Sequence, residues 1–175
     1  EAAVRKVAKT LKAEKVEAVA VAFIHSYANA VHEERVREIL AKEAPGIAVT
    51  LSSEVCPEMR EYERTSTAVA NAYVQPLMSG YLGRLKARFA AEGYTKPIHL
   101  MTSGGSLATL ETAARFPIRL VESGPAGGAI LAAYIAAERG ENKVLSFDMG
   151  GTTAKICLIH DATPYKARTF EVDRQ

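Results

Sequence analysis

Cysteine is scarce in this chain: its 175 residues include two, Cys56 and Cys157, far apart and without CxxC spacing. That argues against a disulfide framework, and reduced thiols in a cytoplasmic protein are the expected reading. Long apolar runs are also missing. The longest, Val16 to Ile24, is interrupted by Glu17 and falls far short of the ~20 residues that cross a bilayer. Charge of one sign is not in excess either: 22 Lys and Arg stand against 20 Asp and Glu, a net charge of +2. The basic residues are interleaved with glutamates in RKVAKTLKAEK, HEERVREIL and REYERT and form no basic stripe of the kind that tracks a phosphate backbone. Neither nucleic acid nor a membrane is expected as a partner. HExxH, a Gly-x-Ser-x-Gly elbow and a complete P-loop are absent, and His25, His32, His99 and His160 are scattered. His25, closing an apolar run in IHSY, is the one histidine worth following, and a structural role is expected for it.

What is present is the composition of a soluble globular domain, 48% hydrophobic and 24% charged, enough for one core or two small lobes and outside the disordered and fibrous classes. The opening EAAVRKVAKTLKAEK lacks the apolar core and cleavage site of a secretory signal. It reads as an amphipathic helix to about Ala13, with Val4, Val7, Ala8 and Leu11 on one face. A strand at Ala18 to Ile24, a helix from about Val31 to Lys42 and a strand at Ile47 to Leu51 follow, a spacing that predicts a parallel βαβ unit. Asn29 suits the N-cap of the second helix, with Glu33 and Glu34 in its first turn and Pro45-Gly46 after it. A long helix is expected from Glu61 to about Ala91, where Val69, Tyr73, Leu77, Tyr81, Leu85 and Phe89 recur every fourth residue. That stripe is expected to pack as core rather than line a cofactor, and Pro76 inside it to kink or break the helix. Beyond Gly93 the pattern gives a strand at Ile98 to Thr102, a turn at Ser103 to Ser106, a short helix from about Thr109 to Arg115, and a strand at Ile118 to Val121. A helix then begins in SGPAGGAILAAYIAAERG, capped by Ser123 or Gly124 and stopped at Gly140. A soft boundary near residue 58 separates a βαβ segment, 1–58, from the long helix and the remaining α/β segment, 59–175. The chain starts in mid-helix without Met and stops at FEVDRQ, so a piece of a longer polypeptide is expected.

The most informative stretch is VLSFDMGGTTAKICLI, Val144 to Ile159: two apolar runs joined by a Gly-Gly turn, with Asp148 before it and Thr152 and Thr153 after it. Main-chain amides at such a turn, beside a carboxylate, can cradle a phosphate chain and position its magnesium. Gly-Gly is also a common two-residue hairpin turn with no function. Asp148 ends an apolar strand where a charge needs a reason, and its sign suits water-mediated magnesium better than direct phosphate contact. Gly127 and Gly128, in the first turns of a helix where glycine costs about 1 kcal/mol relative to alanine, predict close approach by a neighbour, either a packed helix or a ligand. Glu122, at a strand end before that helix, is the more site-like residue. The Ser103 to Ser106 turn reads equally as a substrate or phosphate loop and as a simple turn.

Taken together, IRLVESGPAGGAILAAYIAAERGENKVLSFDMGGTTAKICLI resembles the central segment of the actin, sugar kinase and heat-shock chaperone ATPase superfamily, where a small-residue connecting helix precedes the second phosphate hairpin. SSEVCPEMREYERTSTAVANAYVQPLMSGYLGRL, the MTSGG turn, VESGPAGG and FDMGG further resemble the hydantoinase and 5-oxoprolinase family, in its larger, hydantoinase A type chain, across nearly all 175 residues. The resemblance implies an α/β fold of ribonuclease H-like, actin-type ATPase architecture. It also implies ATP-dependent opening of a cyclic amide, such as 5-oxoproline or an N-substituted hydantoin, through phosphorylation of the substrate carbonyl oxygen. A relative that carboxylates a ketone through phosphorylated bicarbonate is the enzyme alternative, and a non-catalytic packing or assembly domain is the other. On the enzyme reading Asp148 organises magnesium and water, the amides of Gly150, Gly151 and Thr152 hold phosphate oxygens, the Thr152 and Thr153 hydroxyls add contacts, and Glu122 and Gly124 belong to the connecting segment. ATP and Mg2+ are the implied cofactors. The remaining domains of the parent chain and a hydantoinase B type subunit are the implied partners. Two departures stand out: the family's N-terminal Asp-Ile-Gly-Gly-Thr hairpin and its adenosine-binding region do not occur here, and Lys155 stands where the hairpin often carries a second acid.

Overall fold

In the computed structural model, which describes residues 1–166, the chain falls into two compact units: Glu1–His99 with Thr109–Ile118, and Leu100–Ala108 with the chain from Arg119 onward. The first unit is built on a βαβ crossover. Helix α1 (Ala2–Ala13) precedes β1 (Ala18–Val21), α2 (Val31–Glu43) returns the chain, and β2 (Ala48–Leu51) pairs parallel to β1, Ala18 opposite Ala48 and Val21 opposite Leu51. Ala8, Val21, Leu40, Ala44 and Leu51 close the core, with Leu11, Val19, Val36, Ile47 and Val49 packed around it. One inward side chain per helical turn is what the amphipathic pattern supplies. Strand β1 ends at Val21 rather than Ile24, because Phe23 to Asn29 turn back on themselves: Ser26 N–H donates to Phe23 O, and the amides of Ala28 and Asn29 donate to His25 O. Ala30 occupies the N-cap of α2, one residue after the expected Asn29, while the Asn29 side chain still supplies a capping oxygen by accepting the Val31 N–H at 3.1 Å.

After the short α3 (Ser52–Val55), helix α4 runs unbroken from Glu61 to Ala91, with Pro76 inside it. It packs on β1 and β2 and belongs with the βαβ segment. The buried face is not the expected stripe. Arg64, Ala68, Asn71, Ala72 and Leu82 are buried, whereas Val69, Tyr73, Leu77, Tyr81 and Phe89 are exposed, Tyr73 by 86%. Small Ala68 and Ala72 let the helix approach the strands, and Asn71 fixes its position: Nδ2 donates to Thr50 Oγ1 and Arg115 O, and Oδ1 accepts the Ile118 N–H.

Strands β3 (His99–Met101) and β4 (Leu107–Thr109) form a two-stranded sheet, and α5 (Leu110–Arg115) is capped by Thr109 Oγ1, which accepts the Thr112 N–H. Residues Pro117–Leu120 form a 3-10 turn where a strand is expected at Ile118 to Val121. Pro117 has no N–H to donate, and the neighbouring groups are taken by side chains and a loop: Ser103 N–H and Oγ both donate to Arg119 O. Helix α6 (Ser123–Arg139) follows and stops at Gly140, in the left-handed region at φ 71°. Its N-cap is Glu122, ahead of both expected caps, Ser123 and Gly124. The chain closes with the antiparallel strands β5 (Lys143–Met149), β6 (Ala154–His160) and β7 (Thr163–Pro164).

Candidate functional site

The β5–β6 hairpin forms where the sequence places it. Alternation sends Leu145, Phe147, Ile156 and Leu158 to one face, where all are exposed, and Val144, Ser146, Cys157 and Ile159 to the other, where α6 packs. Period-2 geometry therefore puts Asp148 and Lys155 on the α6 face as well. They are register partners, Asp148 directly opposite Lys155, one step before the turn. Oppositely charged groups facing each other across an antiparallel pair attract.

The turn is Gly150 to Thr153. Gly150 N–H donates to Thr153 O at 3.0 Å and closes it, so that amide serves the turn and is not free for a phosphate. Among the described residues no hydrogen bond engages the amides of Gly151 or Thr152, and both threonines are exposed. Neither Gly150 nor Gly151 lies in the left-handed region, and a Cβ built on either meets nothing within 4 Å among the described residues. Gly124, in the first turn of α6, is equally open, and so is Gly128. Gly127 is different: Met101 Cγ lies 3.6 Å from where its Cβ would stand, so packing accounts for that glycine.

Glu122 joins the hairpin through charge. At φ 63° and ψ 21° it occupies the left-handed region, which costs a residue with a Cβ about 1–2 kcal/mol. Its side chain makes no capping bond to α6, and its Oε2 instead pairs with the Lys155 ammonium. Both side chains keep about a third of their surface, 35% and 36%. Asp148, Lys155 and Glu122 thus form a row of alternating charge from the hairpin to the start of α6. An apolar hollow of about 290 Å³, lined by Leu100, Met101, Leu120, Ser123, Gly124 and Gly127, lies at the same helix terminus.

No group of three or more His, Cys, Asp or Glu could hold a metal among the described residues. A lone carboxylate beside open amides fits magnesium, which keeps most of its waters and takes one or two carboxylates together with substrate phosphates.

The Ser103 to Ser106 turn is consumed by its own bonding. Thr102 N–H donates to Ser106 O, Gly105 N–H to Thr102 O, and the Thr102 and Ser106 hydroxyls meet at 2.9 Å. This bonding accounts for the shape of the turn without a ligand. His25 sits exposed at the tip of the β1–α2 loop at φ 58°, edge-on to Tyr27.

A second polar centre was not visible from spacing. Glu33, fully buried, accepts four hydrogen bonds: Oε1 from Phe23 N–H at 2.9 Å and Ser52 Oγ at 2.6 Å, Oε2 from Ser53 N–H at 2.9 Å and Ser53 Oγ at 2.7 Å. Burial by itself pushes its carboxyl up, but these bonds together hold it below the ordinary value. Arg64, also buried, donates to Glu58 O, Met59 O and Phe23 O and lies over the Tyr27 ring. Phe23 is thereby gripped at both main-chain groups. The only sequence signal was a glutamate in a first helical turn followed by a Ser-Ser pair at the end of the next strand.

A sequence model of the Hydantoinase/oxoprolinase family matches residues 64–174, and one of the Hydantoinase/oxoprolinase N-terminal region matches residues 1–44. An uncharacterized protein of Methanocaldococcus jannaschii is 40% identical over 96% of this chain and 25% of its own length. The caprolactamase subunit alpha of Pseudomonas jessenii is 35% identical over 90% of this chain and 23% of its own. The crystal structure of the ATP-dependent caprolactamase from that organism superimposes with a TM-score of 0.78 at 34% identity, covering 90% of this chain and 23% of that one. A nucleotide-free acetone carboxylase structure superimposes with a TM-score of 0.77 at 28% identity, covering 91% and 23%. The α/β ATPase-type fold expected from the sequence is the one these structures share, and the chain spans about a quarter of the length of such relatives. With the family models matching both ends of the chain, it belongs to the Hydantoinase/oxoprolinase family.

Proposed function

We propose that the protein to which this chain belongs is an ATP-dependent hydrolase of cyclic amides, opening 5-oxoproline, an N-substituted hydantoin or a related lactam, and that the β5–β6 turn holds the phosphates of ATP. The observation that carries this reading is the pair Gly150-Gly151. The fold of this chain requires glycine at neither position, through φ or through crowding. Glycine there leaves main-chain N–H groups approachable, a property a phosphate can use.

In this reading the Gly151 and Thr152 amides and the Thr152 and Thr153 hydroxyls bind phosphate oxygens. Gly150 has a different part, since its N–H closes the turn. Asp148, an anion, orients water on the Mg2+ that accompanies the nucleotide. Glu122 and Gly124 begin the connecting helix beside it. Donors fixed by a hairpin need no rearrangement as charge develops on a transferring phosphoryl group, which is the main contribution protein groups make to such chemistry. When bound, ATP supplies the phosphoryl group that makes an amide carbonyl reactive toward water.

An ATP-dependent ketone carboxylase is the second reading, favoured by one observation: the acetone carboxylase and caprolactamase structures match this chain almost equally, at TM-scores of 0.77 and 0.78. We place the protein in the cytoplasm, a setting suited to the free thiols of Cys56 and Cys157, and expect a hydantoinase B type subunit as partner. Among the described residues no helix is long and apolar enough to cross a membrane. The test is phosphate release by the full-length protein with Mg2+ and ATP, across 5-oxoproline, hydantoins, caprolactam, and a ketone with bicarbonate. Stimulation by a cyclic amide supports the hydrolase, stimulation only by ketone with bicarbonate moves the assignment to carboxylase, and silence across the panel with the partner subunit present contradicts both.

A further inference from the structure

We propose that Lys155 is the cation that meets the phosphates of the bound nucleotide, and that Glu122 is its counter-ion, competing with those phosphates for the same ammonium. The inference rests on the nucleotide reading of the hairpin and goes beyond it, because there the only charged member of the turn is an anion. A triphosphate brought against Asp148 alone would meet like charge. The register answers this: Lys155 is directly opposite Asp148 and on the same face, and its flexible four-carbon stem is long enough to bring the ammonium from Glu122 to a phosphate at the turn. Of the basic residues on β5 and β6, Lys143 stands at the far end, opposite His160, which leaves Lys155 as the one beside the turn.

Glu122 is placed as a holder would be. It is the N-cap residue of α6 yet caps nothing with its side chain. It takes the left-handed conformation that residues with a Cβ avoid, and its carboxylate pairs with Lys155. Backbone strain of this kind persists where the surrounding structure has a use for the result. The pair keeps about a third of its surface, so the ammonium is oriented without being sealed from an incoming anion. A triphosphate with its several charged oxygens outcompetes one carboxylate for that ammonium.

The two residues then have opposite effects on nucleotide affinity, which a bridge serving only stability would not produce. The experiment is MgATP binding by calorimetry to the full-length protein, with melting midpoints recorded for every variant. Lys155→Gln should weaken binding by about tenfold or more, whereas Lys155→Arg, which keeps the charge, should stay within about threefold of wild type. Glu122→Gln, which frees the ammonium, should tighten binding by about threefold. The double exchange Glu122→Lys with Lys155→Glu rebuilds an ion pair of reversed polarity and should bind as weakly as Lys155→Gln. Unchanged affinity in Lys155→Gln overturns the proposal, as does a result in which Glu122→Gln and Lys155→Gln weaken binding alike and the double exchange restores it. If wild type binds MgATP and Gly151→Ala weakens it while Lys155→Gln does not, this inference alone falls. If wild type binds no nucleotide, the hairpin reading falls with it.

Discussion

Replacing Glu33 by glutamine changes one atom and should cost the first unit much of its stability. Each carboxylate oxygen of Glu33 accepts one main-chain N–H, Oε1 that of Phe23 and Oε2 that of Ser53, and each also accepts one serine hydroxyl. A glutamine can turn its amide either way, but in both orientations its NH2 faces one of those main-chain donors. The serine hydroxyls can rotate to accept from the new NH2; a peptide N–H cannot. One main-chain donor is therefore left unpaired against a second donor, and the remaining bonds lose their charge. The expected loss is about 3 kcal/mol, a drop in melting midpoint of roughly 6–12 °C for a chain of this size. Ser53→Ala, which removes a single hydroxyl, should cost only about 1 kcal/mol. The pH dependence has a definite sign. Because the Glu33 carboxyl is held below its ordinary value in the folded chain, its contribution is fully present above the ordinary Glu value of about 4.3 and is lost as pH falls through the lowered folded value. Urea unfolding of the two proteins between neutral and acid pH measures this, and Glu33→Gln should lack that portion of the acid sensitivity. A Glu33→Gln protein within about 0.5 kcal/mol of wild type at neutral pH would refute the reasoning.

Asp148→Ala in the full-length protein should lower ATP turnover at least about tenfold, equivalent to about 1.4 kcal/mol of transition-state stabilisation, with the melting midpoint unchanged; ordinary turnover would remove Asp148 from the magnesium role. Gly105→Ala should destabilise by about 1–2 kcal/mol in urea, since Gly105 has φ 79° and a Cβ there would come within 2.7 Å of Ile130 Cδ1; unaltered stability would mean that the turn and Ile130 relax freely.

Local signals are legible in the sequence. The limits of α4, the β5–β6 hairpin and the Gly140 stop each depend on a few adjacent residues, periodicity for the first, a Gly-Gly turn between apolar runs for the second, and a residue that tolerates positive φ for the third. Two kinds of feature were not legible. The stripe Val69, Tyr73, Leu77, Tyr81 is apolar at helical spacing yet exposed, because periodicity reports that a face is apolar and is silent about what covers it. The run at Ile118 to Val121 has strand-like composition, but its main-chain partners come from Asn71 and Ser103, so the outcome was decided by residues distant in sequence. The same holds for the site. Asp148 and the turn glycines were visible as a motif, whereas the Glu122–Lys155 pair joins positions 33 residues apart through a left-handed residue that no local rule anticipates.

The most direct test of the phosphate-binding hairpin is the MgATP affinity of the full-length protein carrying Gly151→Ala. Among the described residues nothing occupies the space its Cβ would take, and the position has no left-handed φ, so stability should stay within about 0.5 kcal/mol of wild type. A methyl group at the approach to the Gly151 and Thr152 amides should nevertheless weaken binding by about tenfold or more. Wild-type affinity in a fully folded Gly151→Ala protein would contradict the account and leave the turn as a simple connection between two strands.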